Sequence, residues 1–168
     1  SQNNTFSYCL QMESAQTLIQ LIELTCNVTN AFTTAVFQAN LINQTLVLKE
    51  FHSLSQGVNH GAIIRFGEGP IGKAAETEQP ILKENFAGES SELKIYKKSE
   101  DLKGFIAIPI KKEKLLGVLI VDTKESYYFS LRIQKIVTEI ANLIAPHLDN
   151  KFSSEDEVVL DHLPTHEL

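Results

Sequence analysis

The chain has 168 residues, 43% of them hydrophobic and 21% charged, with a formal net charge of −6. This length fits one globular domain with a core large enough to need no metal or disulfide, and the composition excludes collagenous, low-complexity and disulfide-scaffold proteins. The longest apolar stretches, such as residues 115–121, are far shorter than the roughly 20 residues of a membrane-spanning helix. No signal-like segment opens the chain. We therefore expect a cytoplasmic domain without membrane insertion.

The negative charge is concentrated at the end of the chain. Residues 153–168 hold no Lys or Arg and five acids, which are Glu155, Asp156, Glu157, Asp161 and Glu167. We predict that residues 150–168 form an acidic tail peripheral to the core. The basic cluster, Lys111, Lys112 and Lys114, is typical of a solvated hairpin, so we expect no nucleic-acid partner.

Residues 14–31 have helical periodicity, and residues 1–13 are interpreted as a lead-in to a domain spanning 14–149. One apolar stripe contains Ala15, Leu18, Ile19, Ile22 and Cys26. A second, nearly opposite stripe contains Leu10, Leu21, Leu24 and Val28. Burial between two elements of the same fold and contact with a helix of a second chain both explain this second stripe. The second explanation predicts a homodimer through the first helix.

Residues 33–39 and 45–54 are β-rich and predict a hairpin through Asn43 and Gln44. A Gly-rich segment then leads into a short helix over 71–77, which Pro80 limits. Residues 81–82 are interpreted as a short strand. The polar connection over 83–103, with one helical turn near 93–96, is too long for a simple connector and predicts a functional or mobile loop.

The clearest hairpin joins residues 104–111 to residues 115–123. Pro109 cannot donate to a strand ladder, so we expect it at an edge or bulge. Residues 129–148 predict a closing helix that Pro146 kinks or stops. This order of elements predicts an α+β domain built on an antiparallel sheet.

The sequence resembles the GAF domain family over about residues 14–148. The resemblance is carried by G-x-G-x-x-G-x-x-A from Gly67 to Ala75, the Ile-Pro-Ile ending at Ile110, and the Gly-Val-Leu-x-Val-Asp ending at Asp122. It implies a GAF/PAS-like antiparallel sheet with the terminal helices on one face and a short helix plus a long loop covering a ligand pocket on the other. It also implies a regulatory domain that binds a small molecule or mediates dimerisation beside an output module.

The sequence disfavours several alternative chemistries. The glycines lack the parallel βαβ unit of a dinucleotide site, so they are interpreted as structural. The resemblance implies that a catalytic or bilin-binding cysteine would lie in the pocket loops. Cys9 and Cys26 precede these loops, so we predict no catalytic residue. Cyclic nucleotides are disfavoured because the family's Asp-Glu pair is missing. An isolated His is a weak metal site, and so is the pair His162 and His166, which Pro164 interrupts. We therefore predict no metal site.

Strand alternation selects the candidate ligand-binding residues. Phe105 and Ala107 share a strand face opposite Ile106 and Ile108, and the branched residues suit packing on helices. The predicted lining is completed by aromatic residues and two polar groups for an anionic ligand, which are Phe66, Phe86, Tyr96, Arg65 and His52. The alternative is that these aromatic side chains simply fill the space.

Three functions therefore remain in order of preference. The first is a non-enzymatic sensory domain that binds a small molecule of unknown identity and signals through its terminal helices. The second is a ligand-free dimerisation module, and the third is an enzyme.

Overall fold

The computed structural model describes residues 2–88 and 90–148. Its helices are α1 (Gln2–Thr29), α2 (Gly69–Thr77) and α3 (Leu131–Leu148), with one 3₁₀ turn at Ser90–Leu93. Its strands are β1 (Thr33–Asn40), β2 (Thr45–Ser53), β3 (Ile63–Arg65), β4 (Ile81–Lys83), β5 (Gly104–Lys111) and β6 (Leu115–Thr123). The predicted α+β class and the predicted bounds of β5 and β6 are confirmed. The acidic tail, His162 and His166 lie outside the described residues.

The six strands form one antiparallel sheet in the order β3-β2-β1-β6-β5-β4. The hairpin predicted through Gln44 pairs β1 with β2, and a register shift between Val36 and Phe37 leaves Lys49 as an extra residue in β2. Pro109 lies beyond the part of β5 that pairs with β4. Its missing N–H therefore costs the sheet nothing, and the predicted edge position is confirmed.

The sheet has two differently covered faces. The helix face packs on α1 and α3, and it carries Ile106, Ile108 and Ile110 as predicted. The opposite face, which we call the lid face, carries Phe105 and Ala107 and is covered by α2 and the long loop. This arrangement matches the fold that the sequence implied.

Helix α1 begins at Gln2, so the helix extends back through the predicted lead-in. Every described residue from 2 to 13 is exposed, whereas Leu18, Ile22 and Cys26 are buried as the first stripe predicted. Ala15 of that stripe is exposed instead. The helix starts earlier than its periodicity predicts because the first three turns lack an apolar face toward the core.

Helix α3 begins two residues later than predicted because Ser130 caps it. The hydroxyl oxygen of Ser130 accepts a hydrogen bond from the backbone N–H of Ile133 at 3.3 Å. Such a cap satisfies a donor that the first helical turn leaves without a partner. Pro146 lies inside the last turn, and the helix continues to Leu148.

The Gly-rich segment is a structural turn, as predicted. Gly69 has a φ of +60°, and a Cβ there would lie 2.5 Å from the carbonyl oxygen of Glu92. At Gly72 a Cβ would lie 2.3 Å from the carbonyl oxygen of Arg65. Only glycine allows the backbone to approach this closely.

Candidate functional site

The long loop is fixed to the sheet by a polar network around Asp122, at the end of β6. Asp122 is fully buried on the lid face, and its Oδ1 accepts a hydrogen bond from the backbone N–H of Thr33 at 2.8 Å. The hydroxyl of Tyr96, in the loop, donates to Asp122 Oδ2. The Tyr96 oxygen also lies 2.6 Å from the hydroxyl oxygen of Thr33, which in turn pairs with Ser53.

Burial determines the electrostatics of this network. Removal of the carboxyl from water raises the pKa of Asp122 to about 7, although the hydrogen bonds from Tyr96 and Thr33 oppose the shift. Burial, followed by the negative charge of Asp122, raises the pKa of Tyr96 above its ordinary value. Tyr96 is therefore a neutral donor to a carboxyl that changes charge near neutral pH.

A second, more exposed cluster extends the network outward. The carboxylate of Glu100 accepts hydrogen bonds from the hydroxyl of Ser55 and from the ammonium of Lys124, the latter at 2.9 Å. These bonds lower the pKa of Glu100. The Lys124 ammonium also lies 4.2 Å from the centre of the Phe32 ring. The loop is thus held at several points.

The predicted aromatic lining is present, but its side chains pack against one another. Phe105 and Ala107 are completely buried, and the Phe86 ring meets the Phe105 ring edge to face at 5.3 Å between centroids. Leu93 and Ile95 of the loop are also fully buried in this core. Protein side chains therefore occupy the space beside Phe105, as the alternative interpretation stated.

A cavity of about 390 Å³ lies at the other end of β1 and β6, bordered by Phe66. Its remaining lining comes from the β1–β2 turn, the end of α2 and the β5–β6 turn, and consists of Leu41, Gln44, Ala75, Glu76, Glu78, Glu113, Lys114 and Leu115. Phe66 belongs to this cavity, whereas Tyr96 belongs to the Asp122 network.

The two predicted polar groups do not face the lid. His52 pairs with Thr34, whose hydroxyl oxygen accepts a hydrogen bond from Cys26 of α1, so His52 lies on the helix face. The extra residue Lys49 reverses the alternation of β2 and causes this change of face. Arg65 is exposed, and it follows Ile64, which is buried toward the lid. The prediction that His52 and Arg65 supply polar groups to the pocket is therefore wrong.

Neither cysteine lies in a loop of the lid face. Cys9 is exposed on the first turns of α1, and Cys26 is buried on the helix face. Burial raises the pKa of the Cys26 thiol, which makes it less reactive. Within residues 2–88 and 90–148, the structure shows no cluster of three or more His, Cys, Asp or Glu suited to a metal ion. None of the described helices is long and apolar enough to span a membrane.

Tyr96 was predicted from the sequence as a site residue, whereas its hydrogen-bond partners Asp122 and Thr33 were missed. The available signal was a single acid, Asp122, at the end of an otherwise apolar strand. Thr33 lies 63 residues from Tyr96 along the chain, and only the path of the long loop brings the two side chains together.

The residues of the second stripe of α1 differ in their burial. Leu21 is half-buried against the helix-face core, so intramolecular packing explains it. Leu10, Leu24 and Val28 are 50%, 49% and 53% exposed. The stripe is therefore largely an open surface of the described chain.

The domain is thus an α+β fold, in which one six-stranded antiparallel sheet carries α1 and α3 on one face and a short helix with a long loop on the other. The GAF domain family model matches residues 15–149, and the chain belongs to this family of sensory and regulatory domains. No curated protein matches the sequence at a significant level.

Several solved structures share this fold. The GAF domain of a phosphoenolpyruvate-protein phosphotransferase from Coxiella burnetii is 24% identical, with a TM-score of 0.66 over 89% of this chain and 87% of that one. The GAF domain region of a putative membrane protein from Geobacter sulfurreducens is 16% identical, with a TM-score of 0.68 over 88% and 98%. A type II free methionine-R-sulfoxide reductase from Thermoplasma acidophilum is 15% identical, with a TM-score of 0.68 over 83% and 94%. At these identities the likeness concerns the fold alone.

Proposed function

We propose that this chain is a non-enzymatic regulatory GAF domain whose main role is homodimerisation through α1. The observation that carries the proposal is the open apolar surface formed by Leu10, Leu24 and Val28. Large apolar side chains exposed along one side of a helix are a feature of protein interfaces, and Leu24 and Val28 lie one helical turn apart. The lid face, by contrast, is filled beside Phe105 by the protein's own side chains.

The composition of α1 favours pairing with a second copy. Leu10, Leu21, Leu24 and Val28 lie within about 60° of one another around the helix axis at 100° per residue. Glu13 and Glu23 are the only charged residues among the 28 of α1. Two copies can therefore approach along this stripe with little like-charge repulsion.

Leu10→Glu combined with Leu24→Glu tests the dimer. Both side chains are about half exposed, so the charges disrupt an interface without entering the core, whereas a change at half-buried Leu21 would disturb the fold. We expect a dimer for the wild-type chain and a monomer for the variant by light scattering, with the same circular dichroism. Gln16→Glu with Gln20→Glu adds the same charge at exposed positions off the stripe, and this control should stay dimeric. A wild-type monomer, or a dimeric stripe variant, would contradict the proposal.

The absence of enzymatic activity is part of the same proposal. Some structural neighbours are free methionine-R-sulfoxide reductases. In this chain the last cysteine is Cys26, whose thiol lies on the helix face with a raised pKa. A thiolate nucleophile on the lid face is therefore missing among the described residues. Two free cysteines also support a reducing, cytoplasmic location.

Small-molecule sensing is the second candidate, and the buried carboxyl of Asp122 favours it. The Asp122 carboxyl is buried on the lid face and accepts a hydrogen bond from Tyr96 of the loop. A ligand that replaces this hydrogen bond would give the carboxyl a new partner. The change would reach an output module through α1 and α3. Native mass spectrometry of the protein purified from cells tests this candidate. A co-purifying small molecule supports sensing, and an apo mass for both wild type and Asp122→Asn counts against it.

A further inference from the structure

A cleft of about 240 Å³ lies on the helix side of the sheet, and its lining includes no residue of the Asp122 network and none of Leu10, Leu24 and Val28. It is formed where α1, β2 and the end of α3 meet. Its apolar surface comes from Leu18, which is buried, and from Ala15, which is exposed. Its polar lining consists of Gln11, Ser14, Lys49, Glu50 and His147.

The register shift in β2 gives this cleft both signs of charge. Val36 pairs with Glu50 and Phe37 with Leu48, so Lys49 is the extra residue of a β-bulge. In a regular strand the side chains of neighbouring residues point to opposite faces, but a bulge redirects one of them. Lys49 and Glu50 consequently both border the same cleft.

The charges of the cleft are available to a ligand. Within the described part of the chain, neither Lys49 nor Glu50 forms an ion pair, and the recorded hydrogen bond of Glu50 comes from the neighbouring backbone N–H of Phe51 at 3.2 Å. Across the cleft, the Ser14 hydroxyl oxygen lies 2.8 Å from His147 Nδ1. This bond joins α1 to α3 and fixes the two side chains that complete the polar wall.

We propose that this cleft binds a small zwitterion of the free α-amino acid class. A carboxylate fits Lys49 and an ammonium fits Glu50, so a ligand carrying both charges satisfies both residues at once. Its side chain would contact Ala15 and Leu18. The cleft has the volume of about eight water molecules at roughly 30 Å³ each, which suits a ligand of that size.

Ligand binding at this position would act on the terminal helices. The lining residues come from α1, β2 and α3, and the Ser14–His147 hydrogen bond ties the two helices together. A ligand between the two helices changes the free energy of their packing. By thermodynamic linkage, the same ligand would change the free energy of association at the α1 surface. The site is independent of the lid face.

Backbone NMR of the ¹⁵N-labelled chain tests the proposal with three probes of similar size. L-Alanine carries both charges, propionate carries only the negative one, and L-alaninamide carries only the positive one. We expect millimolar L-alanine to shift amide signals of residues 11–18, 48–51 and 147, and each single-charge analogue to bind about tenfold more weakly or worse, because one charge-assisted contact is lost.

Matched variants assign the contacts. Lys49→Met and Glu50→Gln should each weaken L-alanine binding by about tenfold or more. Lys73→Met and Glu139→Gln make the same changes at exposed positions outside the cleft and should bind like the wild type, with circular dichroism checking every fold. Absent shifts, shifts on the lid face, equal binding of the single-charge analogues, or unchanged binding by both cleft variants would overturn the proposal. Since the dimer test reads a mass, the two proposals can fail separately.

Discussion

Replacement of Asp122 by Asn should change how the stability of this domain depends on pH. The pKa of Asp122 is raised from an ordinary 3.8 to about 7 in the folded chain because the carboxyl is buried. A raised folded-state pKa means that the folded state binds the proton more tightly than the unfolded state. The stabilising contribution of Asp122 is therefore complete below about pH 3.8 and is lost as the pH rises to about 7.

The size of the effect follows from the shift. A difference of roughly three pH units, at ~1.36 kcal/mol each, corresponds to a loss of about 4 kcal/mol as the carboxyl ionises. The Asn side chain keeps an oxygen that accepts from the Thr33 N–H, and its amide can donate to the Tyr96 oxygen. The variant should thus keep the network without its titration.

Urea unfolding of both proteins across pH 4 to pH 8 measures this difference, because other carboxyl groups titrate equally in each and cancel. The free energy of unfolding of the wild type should fall relative to Asp122→Asn as the pH rises. Tyr96→Phe removes the donor but leaves the burial, so it should keep the wild-type direction of the pH dependence. Parallel curves for wild type and Asp122→Asn, or a difference that grows in the opposite direction, would refute the reasoning.

Three further predictions concern close packing and burial. Gly117→Ala should lower the free energy of unfolding by about 2 kcal/mol or more, since its Cβ would lie 2.0 Å from the carbonyl oxygen of Phe37. Gly61→Ala meets its first neighbour at 3.9 Å and should change stability by less than about 0.5 kcal/mol in the same chemical denaturation experiment. Iodoacetamide should label exposed Cys9 in the native protein, and it should label buried Cys26 only after unfolding. The intact mass counts the labels. Rapid labelling of both cysteines in the native protein would contradict the burial of Cys26 in the helix-face core.

The local pattern of the sequence was sufficient for the sheet and for the side on which its helices pack. Alternation in β5 separates Phe105 and Ala107 from Ile106 and Ile108, and the structure places them on the two faces as predicted. Pro109 was correctly assigned to an edge because its missing donor restricts it wherever the strand lies. These features depend on residues close together in the chain.

The alternation of residues within β2 could not predict the extra residue in that strand. Plain alternation from Leu46 would place His52 on the lid face, but the bulge at Lys49 reverses the order, so His52 faces the helices. The bulge is a property of the pairing between β1 and β2. No periodicity within β2 alone reveals it.

Packing and electrostatics across the whole fold were decided only by tertiary structure. The sequence supplied Phe86, Tyr96 and Phe105, but whether these rings line a space or fill it depends on how the long loop descends onto the sheet. Burial beneath distant parts of the chain raises the pKa of Asp122, and hydrogen bonds from residues 26 and 89 positions away oppose that shift. Burial depends on many residues that are distant in the chain. The local sequence therefore determines which titratable and aromatic side chains are present, whereas the tertiary structure determines their burial, contacts and pKa values.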